Sequence, residues 1–206
     1  MKFSVIVPMH DCADWAQAGL DSIRSQEFKD YELICVVDAC NDRNRTKRLA
    51  EKYADKVIVT NNGRAGLSWN AGLDAAEGDY IIFMDDDDWF LHEYVFSIFD
   101  AAAREHPELD VMFFSFIFKG VGLAHPMSNN GGPYPAMWAK LWKREFIGDH
   151  RCNNKKHACD LDFHNEMMAL QPKWGIINQT LYYYNYLREG SLTDLLERGL
   201  SSDEEV

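Results

Sequence analysis

The sequence predicts an α/β fold in which a mostly parallel central sheet carries helices on both of its faces. Short apolar segments, typical of buried strands, alternate with amphipathic segments over residues 3–84. Proline, glycine and asparagine mark the junctions between these segments. The chain has 206 residues, 47% of them hydrophobic, which is enough for one packed core. Strands that alternate with helices build parallel sheets, because each crossover helix returns the chain to the same edge.

The first half of the chain is assigned in order from its punctuation. Pro8 ends the first strand, and Asp11 and Asp14 favour the start of a helix that carries Leu20 and Ile23 at helical spacing. Gly78 closes the last helix of this half. The predicted strands are 3–7, 31–37, 56–59 and 80–84. The two later helices are about 45–53 and a segment that follows the loop 61–66 and ends at Ala76.

The second half is less regular. Helical patterns cover residues 92–105 and 160–170, and apolar or aromatic strand patterns cover 110–119 and 180–187. Glycines and prolines are frequent in residues 119–135, which we interpret as a mobile lid or acceptor loop, with a turn at Asn129 to Gly132. The acidic tail 191–206 is expected to be frayed.

The charge balance restricts the classes of partner. The chain has 21 basic and 33 acidic residues, a formal net charge of -12, which argues against nucleic acid and against simple adsorption to an anionic membrane. An anionic ligand would therefore need a metal ion or a local basic contact. No signal peptide or membrane span is visible, and five cysteines are an odd number for a disulfide framework. We expect a cytoplasmic protein, in contact at most with the inner face of a membrane.

Four consecutive aspartates, Asp85 to Asp88, are the most informative feature of the chain. They follow the apolar segment 80–84 and precede Trp89 and Phe90. Ionised carboxylates this close repel one another, and either water or a bound cation must reduce the cost. A solvated acidic loop is the simpler interpretation, but the apolar flanks favour the cation. Oxygen ligands favour Mg²⁺, Mn²⁺ or Ca²⁺.

Polar loops follow three of the four predicted strands in the first half. They comprise residues 8–11, 38–42 and 85–88. Because right-handed crossovers place the carboxyl ends of parallel strands on one edge, these loops should meet there. Ligands of such sheets bind at that edge. The sequence therefore predicts an acidic binding cleft.

Three carboxylates in the predicted helix 160–170 compete for the role of a general base. Asp160 shares a helix face with the apolar residues Phe163 and Met167, whereas Asp162 and Glu166 share another. An apolar setting would raise the pKa of Asp160 toward a useful value. Aspartate is also a common N-cap residue, and spacing alone leaves the two interpretations of Asp160 balanced.

Two other groups of residues are weaker candidates. His150, Cys152, His157 and Cys159 are zinc-ligand types, but their spacing is unlike that of structural zinc sites, so we favour polar loop residues. The aromatic residues around Trp138 and in 182–184 could stack on a sugar ring. Since core packing is the more common use of such residues, we expect one or two at most to face the cleft.

Several motifs together resemble the family-2 glycosyltransferases, which have the GT-A fold. Each motif is modest, but their order and spacing cover nearly the whole chain. They are the segments Val5–Pro8, Leu20–Ile23 with Gln26, Tyr31–Leu33 with Asp38, Asn70–Leu73, Ala76–Tyr80, Asp85–Trp89, Trp138–Arg144, Leu181–Tyr184 and Arg188–Thr193.

The resemblance implies a single GT-A catalytic domain at residues 1–190, with a donor-binding half to about residue 90 and an acceptor half after it. It implies sugar transfer with inversion from a nucleotide-diphosphate donor to a glycan or lipid-linked acceptor, as in polysaccharide biosynthesis, with Mn²⁺ or Mg²⁺. The aspartates fall on the DXD region of the family. The implied metal ligands are Asp87, the first choice, and Asp85; the implied donor-binding residues are Pro8, His10, Asp38, Arg64, Asp85 and Asp86; the implied base is Asp160; and the implied acceptor contacts are Trp138 and Lys140.

Two alternatives remain at this stage. A sugar nucleotidyltransferase would share the fold and the metal, but it usually has a glycine-rich basic loop after the first strand, where this chain has Pro8 to Cys12. A non-catalytic module that binds a nucleotide sugar or glycan would not need the base. The chain is also short for the family, so we expect a homo-oligomer, a partner protein or a further acceptor domain.

Overall fold

The computed structural model describes residues 2–127, 132–155 and 157–199. One mixed sheet extends through both halves of the chain, and within the described ranges it contains nine strands. The strands are β1 (Phe3–Met9), β2 (Tyr31–Asp38), β3 (Lys56–Thr60), β4 (Tyr80–Phe83), β5 (Trp89–Phe90), β6 (Val111–Phe118), β7 (Gly122–Ala124), β8 (Lys140–Lys143) and β9 (Trp174–Tyr184). The helices are α1 (Gln17–Arg24), α2 (Arg45–Tyr53), α3 (Ala65–Ala75), α4 (Val95–Glu105), α5 (Arg144–Ile147), α6 (Cys159–Ala169) and α7 (Leu192–Glu197), with a 3-10 turn at Met137–Ala139.

The strand order is β3-β2-β1-β4-β8-β6-β9-β5, and β7 pairs with β6. The first four strands are parallel, and β1 lies between β2 and β4 with Ile6 opposite Ile34 and Phe83. The antiparallel strand β8 joins this parallel half to β6. The predicted α/β class with a largely parallel sheet is therefore confirmed, with an antiparallel join that the sequence did not predict.

Helices cover both faces of the sheet, as predicted. Val5 and Val7 of β1 belong to the core under α1, α2 and α4, whereas Ile6 belongs to the core under α3 and α6. This division follows from the alternation of side chains along a strand. Gly72 of α3 is required for the close packing, because a Cβ there would lie 2.3 Å from Cγ2 of Ile6.

Three predictions for the second half need correction, those of the strand 180–187, the loop 119–135 and the frayed tail, and one strand was not predicted. The strand predicted at 180–187 begins at Trp174, because its first residues pair in parallel with β6 although Gly175, Asn178 and Gln179 are weak strand formers. Strand β8 was not predicted, since only pairing with β4 and β6 defines it. The predicted loop 119–135 contains β7, and residues 128–131, with most of the predicted turn, lie outside the described residues.

The tail is not frayed from residue 191. It contains α7, whose start is capped by Oγ of Ser191, which accepts a hydrogen bond from the N–H of Asp194 at 3.2 Å. The Asp194 carboxylate in turn accepts a hydrogen bond from the N–H of Gly190 at 2.8 Å. Residues 200–206 lie outside the described residues. Within the described ranges, no helix combines the length and apolar character needed to cross a bilayer.

Candidate active site

The loops after β1, β2 and β4 meet at one edge of the sheet, as the alternation of strands and helices predicted. The backbone N–H of His10 donates to Oδ2 of Asp86 at 3.2 Å, and its Nδ1 lies 2.9 Å from the carbonyl oxygen of Asp38. His10 therefore joins the acidic run to the end of β2. Pro8, in β1, is half-buried, and the His10 side chain is exposed.

The four aspartates have four different environments, and Asp88 is the structural one. Its side chain is fully buried. It accepts hydrogen bonds from the Tyr182 hydroxyl at 2.7 Å and from the N–H of Asn185 at 2.8 Å. Burial and the charges of Asp85 and Asp87 raise its pKa well above the ordinary value. Asp88 thus fastens the acidic run to β9 and the residues after it.

Asp86 holds the loop after β1. Its carboxylate accepts hydrogen bonds from Nε1 of Trp15 and from the N–H of His10, both at 3.2 Å. Burial, followed by repulsion from Asp87, raises its pKa to about 6. Asp86 therefore shapes the wall of the cleft, and its implied contact with the donor stays a prediction.

Asp87, the first choice for a metal ligand, is paired with a cation of the chain itself. Nε of Arg188 donates to Oδ2 of Asp87 at 2.8 Å, and both side chains are largely buried. The same guanidinium lies over the ring of Trp15, with Cζ 3.8 Å from the ring centroid. A metal ion at Asp87 would have to share this carboxylate with Arg188 or displace the arginine.

Asp85 has the carboxylate that remains available. Its N–H donates to the Tyr182 hydroxyl at 3.3 Å, but no described residue donates a hydrogen bond to its half-buried carboxylate. Burial, and then repulsion from Asp87, Asp86 and Asp160, raise its pKa well above the ordinary value. A cation would relieve this repulsion. The structure therefore favours Asp85 over Asp87 as the open ligand.

Metal binding by side chains alone is not indicated. Across residues 2–127, 132–155 and 157–199, no three His, Cys, Asp or Glu side chains are grouped so that they could hold a metal ion. In the group of His150, Cys152, His157 and Cys159, for which the sequence does not favour a zinc site, His150 pairs with Glu166 at 2.8 Å. The thiols of Cys152 and Cys159 are buried, which raises their pKa. A metal at the acidic run would need ligands from a bound molecule.

Asp38 shapes the pocket through the loop after β3. Its carboxylate accepts hydrogen bonds from the Thr60 hydroxyl at 2.8 Å and from the N–H groups of Asn62 at 2.6 Å and Arg64 at 3.1 Å. Burial opposes ionisation, but these hydrogen bonds prevail and lower the pKa of Asp38. Both oxygens thus accept hydrogen bonds within the protein, and the nucleotide contact implied by the family resemblance stays a prediction.

The guanidinium of Arg64, the candidate for a phosphate contact, lies against its own loop. Nη1 donates to the carbonyl oxygen of Gly63 at 2.8 Å, and the side chain is half-buried. The structure gives Arg64 no carboxylate partner among the described residues. Contact with a phosphate would require this side chain to leave Gly63.

The structure separates the three candidate bases. Asp162 pairs with Lys155 and accepts a hydrogen bond from Asn153 at 2.6 Å, and Glu166 pairs with His150, so both face outward. Asp160 is half-buried in the first turn of α6, on the face of the buried Phe163 and Met167. The N-cap interpretation is wrong, because Ala158 occupies that position.

Asp160 lies close enough to the acidic run to act on it electrostatically. Its charge contributes, after burial and the charges of Asp87 and Asp86, to the raised pKa of Asp85, and it acts on Lys140 as well. The candidate base and the available carboxylate are therefore within electrostatic range of each other.

The two implied acceptor contacts, Lys140 and Trp138, are both buried in this structure. Lys140 is fully buried, and its Nζ donates to the carbonyl oxygens of Pro135 at 2.7 Å and Ala136 at 2.5 Å. Burial lowers the pKa of Lys140 to about 7. Trp138 is 4% exposed and stacks on Tyr182, with ring centroids 4.8 Å apart. Both side chains support the wall of the site and present no surface to an acceptor.

Comparison with known proteins decides the family. A family model described as "Glycosyl transferase family 2" matches residues 4–164. The chain belongs to glycosyl transferase family 2.

Curated relatives include two bacterial members of the family. The poly(ribitol-phosphate) beta-N-acetylglucosaminyltransferase TarS of Staphylococcus aureus is 29% identical over 92% of this chain and 36% of its own length. The glycosyltransferase GlyA of Streptococcus pneumoniae is 24% identical over 93% of this chain and 31% of its own length. The chain therefore spans about a third of the length of these relatives.

Solved structures agree with this family membership. S. aureus TarS 1–349 in complex with UDP-GlcNAc superposes with a TM-score of 0.82 and 25% identity, over 94% of this chain and 61% of that chain. The mannosyltransferase PcManGT from Pyrobaculum calidifontis, solved with GDP-Man and Mn²⁺, superposes with a TM-score of 0.68 over 95% of this chain and 60% of its own. Its identity is 15%, so that likeness concerns the fold alone. The GT-A fold expected from the motifs is confirmed.

Sequence reasoning for this family-2 chain missed three residues that organise the site. Trp15 contacts both Asp86 and Arg188, and Tyr182 contacts both Asp85 and Asp88. Arg188 and Tyr182 lie in motifs that were quoted for the family without a role. Trp15 had no motif, and only its position in the loop after β1 could have indicated it.

Proposed function

We propose that this family-2 chain transfers a sugar, with inversion, from a nucleotide-diphosphate donor to a hydroxyl group of a glycan or lipid-linked acceptor. The observation that carries the proposal is the carboxylate of Asp85, which has no hydrogen-bond donor among the described residues, just after the end of β4 and within electrostatic range of the half-buried Asp160. Ligands of α/β sheets bind at this edge.

A uridine diphosphate donor is the first to test. TarS, the relative with 25% identity in its UDP-GlcNAc complex, supports this choice. Its name describes transfer of N-acetylglucosamine to poly(ribitol-phosphate), and we propose an acceptor of that general class for this chain. Because the chain spans about a third of TarS, further parts or partners are expected to contribute to the acceptor site.

We propose that Mn²⁺ or Mg²⁺ takes part, held by Asp85 and Asp87. These two residues fit such an ion, because both offer carboxylate oxygens as ligands. The carboxylate of Asp85 also has a raised pKa and accepts no hydrogen bond from a described residue. When bound, the ion would neutralise charge on the departing diphosphate. The side chains would supply only part of the coordination shell, which agrees with the lack of a three-ligand group among the described residues.

Asp160 would accept the proton of the acceptor hydroxyl as that oxygen attacks the anomeric carbon. One displacement from the face opposite the leaving diphosphate inverts the configuration. A base in this role must come within about 3 Å of the hydroxyl oxygen. Tyr182 and Asp88 keep the acidic run in place, and Arg188 is positioned to meet negative charge that arrives beside Asp87.

Binding of UDP-, GDP- and dTDP-sugars, measured by calorimetry with and without Mn²⁺, tests the donor and the metal together. We expect metal-dependent binding to at least one of these donors and its loss in Asp85→Asn. Asp162→Asn is the matched control, since this aspartate faces outward. Equal affinity of Asp85→Asn and the unmodified chain would reject the metal assignment, and no binding of any donor would reject the function.

A further inference from the structure

The outer face of α2 carries the most uncompensated positive charge of any helix among the described residues. Five cations lie in residues 43–52, with Glu51 as the single acidic residue of that segment. Arg45 pairs with Asp14, and Lys47 pairs with Glu51 at 3.5 Å. Arg43, Arg48 and Lys52 are exposed and have no carboxylate partner among the described residues. In a chain of net charge -12, such a patch is unusual.

The patch forms one continuous surface. Arg45, Arg48 and Lys52 have the spacing i, i+3 and i+7, which places them on one helix face. They line a shallow cleft of about 360 Å³ together with Ala13 and Leu49. The opposite face of α2 carries its buried residues, so the helix that bears these cations is packed against the protein. Seven residues of helix span roughly 10 Å, which suits a linear ligand better than a single phosphate.

This surface borders the donor cleft. Arg45 binds Asp14, and the next residue, Trp15, donates to Asp86 at 3.2 Å. Ala13, which lines the basic cleft, precedes them in the same loop. A chain that lies along α2 therefore passes the loop that forms one wall of the candidate active site.

We propose that the outer face of α2 binds a linear polymer with repeated phosphate groups and holds it beside the donor cleft. As far as this polymer is the acceptor, the inference rests on the proposed function. Arg48 and Lys52 supply the main contacts, because Arg45 is already paired with a carboxylate. Lys52 rests on the ring of Tyr53, 4.8 Å from its centroid, which directs its ammonium group.

An anionic membrane is a poorer fit for the same charges. Helices that lie on a bilayer insert an apolar face between the lipids. The buried residues of α2, Thr46, Ala50 and Tyr53, pack against the protein instead. The helix shows no exposed large hydrophobic side chain among the described residues. Charge without an apolar face favours a polymer in solution.

The test uses long-chain inorganic polyphosphate as the probe, without divalent ions, and compares Arg48→Gln/Lys52→Gln with the unmodified chain. The control is Arg104→Gln/Lys119→Gln, which removes the same charge from other exposed sites. We expect about tenfold weaker binding of polyphosphate in the α2 variant alone. The slope of log K against log salt concentration should become shallower by about 1.4, which is the contribution of two phosphate contacts. Circular dichroism checks that both variants fold.

Three results would overturn the inference: equal affinity in the α2 variant, an equal loss in the control, or tighter binding to phosphatidylglycerol vesicles than to polyphosphate. The proposed function is tested separately by binding of UDP-sugars to the unmodified chain. Polyphosphate binding without donor binding would support the proposed polymer site on α2 and reject the proposed sugar transfer. Donor binding without polyphosphate binding would support the sugar transfer and reject the polymer site.

Discussion

Arg188 donates from Nε to Oδ2 of Asp87 at 2.8 Å, so a residue of the C-terminal segment occupies the carboxylate that the DXD pattern assigns to a metal ion. The two residues are 101 positions apart in the sequence. Their ion pair partly compensates the charge of the acidic run when no donor is bound. It also means that a divalent ion and Arg188 compete for one side chain.

Replacing Arg188 by methionine should therefore strengthen the binding of Mn²⁺ alone. The variant keeps the apolar length of the side chain but leaves Asp87 without its cation. Since a partly buried ion pair contributes about 1 kcal/mol, we expect roughly fivefold tighter binding. Electron paramagnetic resonance of the free ion measures this directly. In the control Arg104→Met, which breaks the exposed pair with Asp100, Mn²⁺ affinity should stay the same. An unchanged affinity in Arg188→Met would show that Asp87 is not the competing ligand.

Asp88→Ala should destabilise the fold, in contrast to Asp85→Asn. The buried Asp88 carboxylate satisfies the hydroxyl of Tyr182 and the N–H of Asn185, and its removal leaves both groups unpaired. We expect a loss of about 2 kcal/mol in the free energy of unfolding, measured by urea denaturation. Asp85→Asn removes a carboxylate that lacks hydrogen-bond donors and is repelled by its neighbours, so this variant should unfold at the same or a higher urea concentration than the unmodified chain. Similar losses in both variants would contradict the division of roles.

Asp160→Asn should strongly reduce turnover but keep donor binding. Asparagine has nearly the same shape but cannot accept the proton of the acceptor hydroxyl. Loss of a general base lowers kcat by about 10²- to 10⁴-fold. The affinity for the nucleotide sugar, measured by calorimetry, should change little. Asp162→Asn, on the outward face of the same helix turn, should retain activity. Normal turnover in Asp160→Asn would show that another residue is the general base. If the unmodified chain bound the donor but transferred no sugar, the alternative of a non-catalytic binding module would be supported.

Glu32 should make the fold sensitive to acid. Burial opposes its ionisation, but hydrogen bonds from Ser4, Lys56 and the N–H of Glu77 lower its pKa to about 2. Since the folded pKa lies below the unfolded value of 4.5, its stabilisation is complete above about pH 4.5 and is lost as the pH falls toward 2.

The corresponding variant is Glu32→Gln. It should lower the free energy of unfolding at pH 7 by about 2–3 kcal/mol, and the difference from the unmodified chain should shrink between pH 4.5 and 2. Denaturation curves at several pH values measure it. Glu77→Gln, an exposed partner of Lys2 and Lys56, serves as the control and should show a much smaller difference. A pH-independent loss in Glu32→Gln would exclude this carboxyl as the titrating group.

The parallel half of the fold could be predicted because its signals are local. Each strand from β1 to β4 is a short apolar run, and the intervening helices have regular spacing and clear ends. The antiparallel join could not be predicted, because β8 is only four residues long and is defined by its pairing with β4 and β6. The first part of β9 could not be predicted for a similar reason, since its pairing with β6 overrides the weak strand propensity of its residues.

The site shows the same limit at the level of single residues. A run of aspartates at a strand end predicts where the cleft lies. Which aspartate is structural and which is available depends on Tyr182 and Arg188, about 100 residues later in the chain. The burial of Lys140 could not be predicted either, because a lysine in an aromatic motif gives no sign that carbonyl groups surround its ammonium.

The environment of Trp15 offers a direct signal for the binding experiments proposed above. Its indole N–H is bound to Asp86, and its ring face is covered by the guanidinium of Arg188. Any event that lifts Arg188 away from Asp87 must uncover this ring. The intrinsic fluorescence of the chain should thus report the arrival of a ligand in real time, and Trp15→Phe should silence the signal among the six tryptophans.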